Sequence, residues 1–143
     1  MGDAAVRVLA GGGARVQVQA GGCCGRPALS QGFTELATRQ ARGLLDHLAP
    51  HAMAGRRLVV LEPSCWSMLL DDIPQLLPGD PRARWVSEVV MSFDQAVAEL
   101  GIEVPATGAT VHRHCHACAL GDDAGVTAAG PDAVATDAGC CGM

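Results

Sequence analysis

Apolar residues recur at steps of three and four positions in two long segments, which is the spacing of an amphipathic helix. The first segment runs from Ser30 to about Ala49, and Pro50 is expected to close that helix. The second runs from Pro81 to Leu100, with Gly101 as its stop. Its apolar face comprises Trp85, Val86, Val89, Phe93, Val97 and Leu100. The pattern therefore predicts two amphipathic helices.

Shorter segments follow other patterns. A half-buried strand is predicted for ARVQVQ, where Val16 and Val18 alternate with polar neighbours. The continuously apolar LVVL before Cys65 is typical of a strand buried on both faces of a parallel sheet. Two more short strands are predicted for TVHR and AVATD, with a weak helix in the Gly-rich stretch between them. Strands that alternate with helices indicate an α/β fold with short parallel strands.

Glycine and proline mark two further segments. The opening stretch, DAAVRVLAGGG, is typical of a helix that glycines stop. Three prolines and a glycine interrupt DDIPQLLPGDP, which predicts a connector with at most one helical turn. These two segments complete the expected order of elements.

Composition limits the function classes. Of 143 residues, 49% are hydrophobic and 17% charged, which suits a single folded domain. The net charge is -5 and ten arginines stand singly or in pairs, so a nucleic-acid partner is not expected. No positively charged leader opens the chain, and no apolar run approaches the ~18 residues of a spanning helix. These features favour a cytoplasmic protein without an integral membrane segment.

Seven cysteines include two Cys-Cys-Gly triplets, Cys23–Gly25 and Cys140–Gly142. Neighbouring cysteines form a relaxed disulfide poorly, because their Cα atoms lie ~3.8 Å apart and a bridge favours roughly 5.5 Å. In a reducing cytoplasm, clustered thiols more often hold metal or perform redox chemistry. Each cysteine group follows a predicted strand, so the groups are expected to converge where open α/β sheets place their sites.

Three hypotheses for these thiols stay open. An iron-sulfur cluster explains the triplets best, because its several irons give adjacent cysteines separate partners. Zinc is the rival metal, since HCHAC supplies nitrogen and sulfur ligands, but only Cys115 with Cys118 has knuckle spacing. The third hypothesis is an enzyme with a cysteine nucleophile or dithiol, for which His116 beside Cys115 offers a base.

Four motifs, in the family's order, resemble the cysteine-rich CCG domain found in heterodisulfide reductase and in the iron-sulfur subunit of glycolate oxidase. They are GGCCGRPALSQG, LVVLEPSCWSMLLDDIPQLLPGDPRAR, VHRHCHACAL and DAGCCGM. Nearly the whole chain is similar to the C-terminal iron-sulfur region of FAD-linked D-2-hydroxyacid dehydrogenases, including those acting on D-lactate and D-2-hydroxyglutarate. The resemblance implies an electron-transfer module with a [4Fe-4S] cluster, cubane or noncubane, that accepts electrons from a flavin.

The resemblance also implies a single CCG domain with a first unit at about residues 1–78 and a second at about 79–143. The implied metal ligands are Cys23, Cys24 and Cys65 in the first unit and Cys115, Cys140 and Cys141 in the second. Gly25 and Gly142 would leave room for the cofactor, and His114 and His116 would donate to cluster sulfurs or face solvent. Cys118 departs from the family pattern, where a polar residue is usual, and would be a spare thiol or a substitute ligand.

Family members continue beyond both ends of the similar region, with a preceding strand and with a following helix, strand and cysteine. The resemblance therefore implies a partial domain, with FAD held by a partner dehydrogenase domain or subunit. No G-x-G-x-x-G loop follows a predicted strand, so we do not expect the chain to catalyse a reaction alone. Peripheral membrane association through an electron acceptor remains compatible with the sequence. Two alternatives to the electron-transfer function are a zinc-stabilised interaction module and a non-functional truncated remnant.

Overall fold

A computed structural model describes residues 2–19, 21–103 and 108–136. Helices make up 56% of these residues and short strands 9%, a mixture that fits the predicted α/β class. Contacts divide the chain into two units, which we name by their place in the sequence. The central unit comprises residues 18–91, and the terminal unit comprises residues 1–17 with residues 92–143.

The described residues form helices and short strands. The helices are α1 (Gly2–Gly11), α2 (Arg26–Ser30), α3 (Thr34–Met53), α4 (Pro63–Ser67), α5 (Ile73–Leu76), α6 (Pro81–Ser87), α7 (Phe93–Glu99), α8 (Cys115–Ala119) and α9 (Ala124–Ala128), with a π-helical turn at Met68–Asp72 between α4 and α5. The strands are β1 (Leu58–Val60), β2 (Val90–Ser92), β3 (Thr110–His112) and β4 (Val134–Thr136).

The core of the central unit lies where α3 packs against α6 and α5. The largest fully buried side chains of the described residues are Leu45, Met68, Ile73 and Val86. They come from α3, the π-helical turn, α5 and α6 in that order. Strand β1 pairs with β2 in a two-stranded sheet. Apolar burial on these helices therefore holds together the unit that contains Cys23, Cys24 and Cys65.

The predicted helix at residues 30–49 exists with different bounds. A separate short helix, α2, ends at Ser30, and α3 begins only at Thr34. The expectation that Pro50 closes the helix was wrong, because α3 continues through it to Met53. A proline removes one backbone hydrogen bond, but Ala49 and Ala52 on either side of it are buried and keep the helix packed.

The predicted helix at residues 81–100 was wrong as one element. It divides into α6, β2 and α7. Helix α7 starts anew at Ser92, whose hydroxyl accepts the Gln95 N–H at 3.1 Å while the Gln95 side chain accepts the Ser92 N–H at 3.0 Å. This capping box satisfies two backbone N–H groups at the start of α7, so a separate helix begins here. Of the predicted apolar face, Val86 and Val97 are buried, whereas Trp85 and Leu100 are partly exposed.

The predicted strand at Val16 and Val18 is absent. Residues 14–19 have no regular structure, and the Val18 side chain is 74% exposed. A strand needs a neighbour for its backbone hydrogen bonds, and none of the described strands pairs with this segment. The Cys23–Gly25 triplet consequently follows an irregular segment.

Two predictions for residues 58–76 also need correction. Strand β1 is half-buried instead of buried on both faces, because β2 is its only partner among the described strands. The expected connector is largely helical, since the π-helical turn prolongs α4 and leads into α5. Pro74 lies in the first turn of α5, where a missing N–H costs little.

In the terminal unit, α1 and α9 both contact α7. Its buried apolar side chains include Ala5, Leu9, Ala96 and Val97. Strands β3 and β4 are parallel, with Thr110 opposite Val134 and His112 opposite Thr136. The predicted first helix and the predicted strands TVHR and AVATD are thus confirmed. No helix among residues 2–19, 21–103 and 108–136 combines the length and apolarity needed to cross a membrane.

Candidate functional site

Two of the predicted ligands meet in the central unit. The Sγ atoms of Cys24 and Cys65 lie 2.9 Å apart although the residues are 41 positions apart in sequence. Cys24 is buried, with 4% of its surface exposed, and Cys65 is half-buried. Cys23 is exposed, and its Sγ accepts the Gly25 N–H at 3.5 Å. The fold therefore joins the first Cys-Cys-Gly triplet to the cysteine that follows β1.

Gly25 sets the position of Cys24. Its φ of +94° lies in the left-handed region, which favours glycine. A Cβ at this position would lie 2.8 Å from the carbonyl oxygen of Ala37 in α3. Glycine is thus required for both the turn and the close approach to α3, and α2 begins directly after it. The expectation that Gly25 leaves room for a cofactor stays a prediction, because the close neighbour here is the backbone of α3.

Cys65 lies in the first turn of α4, which the sequence Glu-Pro-Ser-Cys forms after β1. The Glu62 side chain accepts the Ser64 N–H at 3.4 Å, and the Glu62 carbonyl accepts the Cys65 N–H at 3.0 Å. Pro63 lies in the first turn, where its fixed φ suits a helix start. The Glu62 hydrogen bonds and Pro63 therefore start a helix directly after β1 and place Cys65 near the Cys23–Gly25 triplet.

Arg26 connects the two cysteine segments. Its guanidinium donates to the Ser64 carbonyl at 3.4 Å and to the Ser67 hydroxyl at 3.1 Å, and it forms an ion pair with Asp72. The Arg26 and Asp72 side chains are only 15% and 26% exposed. Charge-assisted bonds in such partly buried surroundings are stronger than surface pairs. Sequence reasoning missed Arg26 because only the fold shows which residues it contacts.

The two thiols share a hydrogen bond and titrate together. A hydrogen bond from Cys65 lowers the pKa of Cys24 to about 6, with help from backbone N–H groups and the Arg26 charge and against the effect of burial. The same contact, burial and the nearby charges of Cys24, Glu62 and Cys23 raise the pKa of Cys65. At neutral pH the pair therefore holds one thiolate and one thiol. The thiolate is the form that binds metal or attacks disulfides.

The donor set fits an iron or zinc ion in part. Two thiolates on one tetrahedral metal lie about 3.8 Å apart when each metal-sulfur bond is about 2.3 Å. The Cys24 and Cys65 sulfurs, 2.9 Å apart, lie about 0.9 Å closer together than that. Within the described ranges, however, no three His, Cys, Asp or Glu side chains are grouped to hold a metal ion. The described residues thus bring together two thiols of the predicted ligand set and leave Cys23 exposed beside them.

The second group of predicted residues lies in the terminal unit, directly after β3. His114 caps α8, since its Nδ1 accepts the His116 N–H at 3.2 Å. The Cys115 Sγ lies 3.9 Å from the same Nδ1, and the two imidazole rings stack with centroids 5.4 Å apart. Cys118 is exposed. Cys140, Cys141 and Gly142 lie outside the described residues, so the second ligand set stays a prediction.

A buried donor on α4 lacks a partner. The indole Nε1 of Trp66 finds no acceptor among the described residues, although Trp66 is only 2% exposed. An unpaired buried N–H costs about 1–3 kcal/mol. Trp66 directly follows Cys65, and an acceptor atom bound beside α4 would remove this cost. The sequence offered no signal for this donor, because burial of an indole depends on the fold.

Comparison with models of known protein families, with curated proteins and with solved structures finds no match to this chain. The likeness to the CCG domain therefore depends on the four sequence motifs. The fold adds the contact between Cys24 and Cys65, which those motifs do not by themselves specify.

Proposed function

We propose that this chain binds an iron-sulfur cluster and accepts electrons from the flavin of a D-2-hydroxyacid dehydrogenase. The observation that carries the proposal is the 2.9 Å contact between the Cys24 and Cys65 sulfurs. Cysteines distant in sequence that meet beside a third thiol are what a thiolate-held metal centre requires. The triplet Cys23–Gly25 and the segment ending at Cys65 belong to two of the four family-like motifs.

Cys24 and Cys65 would hold the [4Fe-4S] cluster, with Cys23 as the third ligand from this unit. When bound, the cluster supplies one-electron oxidation and reduction at a potential that its surroundings adjust. The chain contributes a thiolate that exists at neutral pH, so binding must displace fewer protons from the site. Arg26 adds a positive charge near Cys24 and holds α2 against α4, which keeps the ligands together.

The electron donor would be an FAD-containing dehydrogenase domain or subunit. Support for it comes from the motifs, which resemble the iron-sulfur region of FAD-linked D-2-hydroxyacid dehydrogenases. In this arrangement the partner binds substrate and flavin, while this cytoplasmic chain removes electrons one at a time. The chain by itself would not oxidise a 2-hydroxyacid.

The test is anaerobic reconstitution of the full chain with ferrous iron and sulfide, followed by assays of iron, acid-labile sulfide and electron paramagnetic resonance after reduction. We expect the wild type and a Cys118→Ser control to retain equal amounts of iron and sulfide. Cys65→Ser should lose most of both, because it removes one of the two sulfurs that already meet. Cys118 is the matched control because it is an exposed thiol in the other unit.

Two results would overturn the proposal. Zinc bound tightly without sulfide would favour a zinc-stabilised interaction module. Equal iron and sulfide in the wild type and in Cys65→Ser would show that the first cysteine group does not hold the cluster.

A further inference from the structure

The Cys24 and Cys65 sulfurs are also placed to bond to each other. A disulfide bond is about 2.05 Å long, so sulfurs 2.9 Å apart need to approach by less than about 1 Å. Both residues are free cysteines here. Cys23, the neighbour of Cys24, is a poor alternative partner for it, because adjacent cysteines cannot reach relaxed bridge geometry.

We propose that the metal-free chain forms a reversible Cys24–Cys65 disulfide and that a low-molecular-weight disulfide of the glutathione class oxidises it. Neither sulfur has to cross the core, because the segments that carry them are already held together. Arg26 follows the triplet and binds the carbonyl of Ser64 and the hydroxyl of Ser67, the residues that flank Cys65 and Trp66. The bridge would thus reinforce an existing connection between α2 and α4.

The reaction proceeds in two exchange steps. Cys65 is half-buried and Cys24 nearly fully buried, so the incoming disulfide reaches Cys65 first. Cys65 passes its proton to the neighbouring Cys24 thiolate as its sulfur attacks one glutathione sulfur, forming a mixed disulfide and expelling one glutathione thiolate. Cys24 then attacks the Cys65 sulfur and expels the second glutathione thiolate. The protein pair, one thiolate and one thiol, loses two electrons and one proton, and one glutathione disulfide gains them to become one thiol and one thiolate.

The bridge would act as a redox control on the site. A sulfur in a disulfide is no longer a thiolate ligand, so oxidation would block loading of a cluster and reduction by a dithiol would restore it. This consequence rests on the proposed function. The disulfide itself requires only the contact between the two cysteines.

Peptide mapping tests the inference on the full chain. The reduced, metal-free protein is treated anaerobically with oxidised glutathione, alkylated and digested with trypsin without reduction. Cleavage after arginine, except before proline, places Cys23 and Cys24 in the peptide 16–39 and Cys65 in the peptide 58–82, while the other four cysteines fall in 114–143. We expect a cross-link between the first two peptides in the wild type and in Cys23→Ser. Cys24→Ser and Cys65→Ser should lose it.

A cross-link that persists in Cys24→Ser, or one that disappears in Cys23→Ser, would overturn the inference. A wild type that carries only glutathione adducts would also overturn it. If circular dichroism shows that Cys24→Ser does not fold, Cys23→Ser still decides between the two neighbouring cysteines, because any cross-link from the peptide 16–39 must then use Cys24. Iron reconstitution of the reduced chain is scored separately, so a chain that forms the cross-link but binds no iron refutes the proposed function alone.

Discussion

At the residue scale, Gly25 combines a left-handed backbone conformation with a close backbone neighbour. We predict that Gly25→Ala lowers the free energy of unfolding by about 2 kcal/mol or more, since it combines a φ of +94° with a Cβ 2.8 Å from the Ala37 carbonyl oxygen. Because Gly25 directly follows Cys24, the Cys24–Cys65 cross-link should also form more slowly. Urea denaturation measures the first effect, and timed alkylation measures the second.

Gly43→Ala is the matched control. Gly43 is exposed within α3, and an added Cβ would meet nothing within 4 Å. Alanine in a helix interior is favoured over glycine by about 0.5–1 kcal/mol, so this variant should be more stable than the wild type. Equal destabilisation by both substitutions would contradict the requirement for glycine at position 25.

Asp94 provides a pH-dependent prediction. Burial, and then the charge of Asp122, raise the pKa of the Asp94 carboxyl above its usual 3.8. A raised pKa means that the folded chain holds the proton more tightly than the unfolded chain, so stability falls as the pH rises from about 3.8 through the raised value. Asp94→Asn removes this loss and should raise the melting temperature at pH 7 but not near pH 3.

Asp132→Asn, at an exposed position, serves as the control for Asp94→Asn. Thermal unfolding of both variants across the acidic range measures the effect. An increase that is the same at every pH, or that Asp132→Asn reproduces, would show that the carboxylate at position 94 carries no such penalty.

Sequence patterns selected candidate residues but not the contacts between them. The repeated Cys-Cys-Gly motif selected Cys23 and Cys24, and the resemblance to the CCG domain added Cys65. Neither could show that Cys24 contacts Cys65 while Cys23 stays exposed, because that depends on the turn at Gly25. Asp72, the ion-pair partner of Arg26, lies 46 positions away, and no local rule pairs residues at such a distance.

At the element scale, the same limit separates confirmed predictions from wrong ones. Helix α1 and strands β3 and β4 carry clear local patterns and exist as predicted. The strand expected at Val16 and Val18 lacks a partner, which alternation alone cannot reveal. The prediction of one helix at residues 81–100 did not take into account the Ser-x-x-Gln capping signal at Ser92, which is present in the sequence.

The cap at Ser92 is therefore testable. Ser92→Ala removes the hydroxyl that accepts the Gln95 N–H at 3.1 Å and donates to Asp122 at 3.0 Å. We expect the free energy of unfolding to fall by about 1–2 kcal/mol, since loss of a helix cap costs that much at a buried site. Ser87→Ala is the control, because the half-buried Ser87 hydroxyl donates to the Arg84 carbonyl within α6. A loss of equal size in both variants would show that α7 does not depend on its cap.

At the scale of the whole molecule, large buried side chains and the first cysteine group occupy the same stretch of chain. Leu45, Met68, Ile73 and Val86 all lie within residues 18–91, as do Cys23, Cys24 and Cys65. Among the described residues, the terminal unit buries four apolar side chains, two of them alanines, and so buries less apolar surface than the central unit. The central unit thus contains both its own core and its own candidate site.

We predict that the fragment of residues 18–91 folds by itself, unfolds cooperatively in urea and forms the Cys24–Cys65 cross-link with oxidised glutathione. A core of this size supplies only about 3–5 kcal/mol of net stability. Leu45→Ala, at a fully buried position in α3, typically costs about 2–5 kcal/mol and should therefore leave the fragment largely unfolded at 25 °C. Exposed Leu36 in the same helix provides the control, because Leu36→Ala removes a side chain that is already 39% exposed.

Circular dichroism and urea titration of the three fragments decide the outcome. A cooperative transition in the wild-type fragment, preserved in Leu36→Ala and lost in Leu45→Ala, would show that packing around α3 keeps the fragment folded. The glutathione cross-link in the same fragment would show that this packing suffices to bring Cys24 and Cys65 together. A fragment without a cooperative transition would mean that residues 18–91 need the rest of the chain to fold. In that case the thiol contact would be a property of the complete protein, because a core that does not form cannot hold two sulfurs 2.9 Å apart.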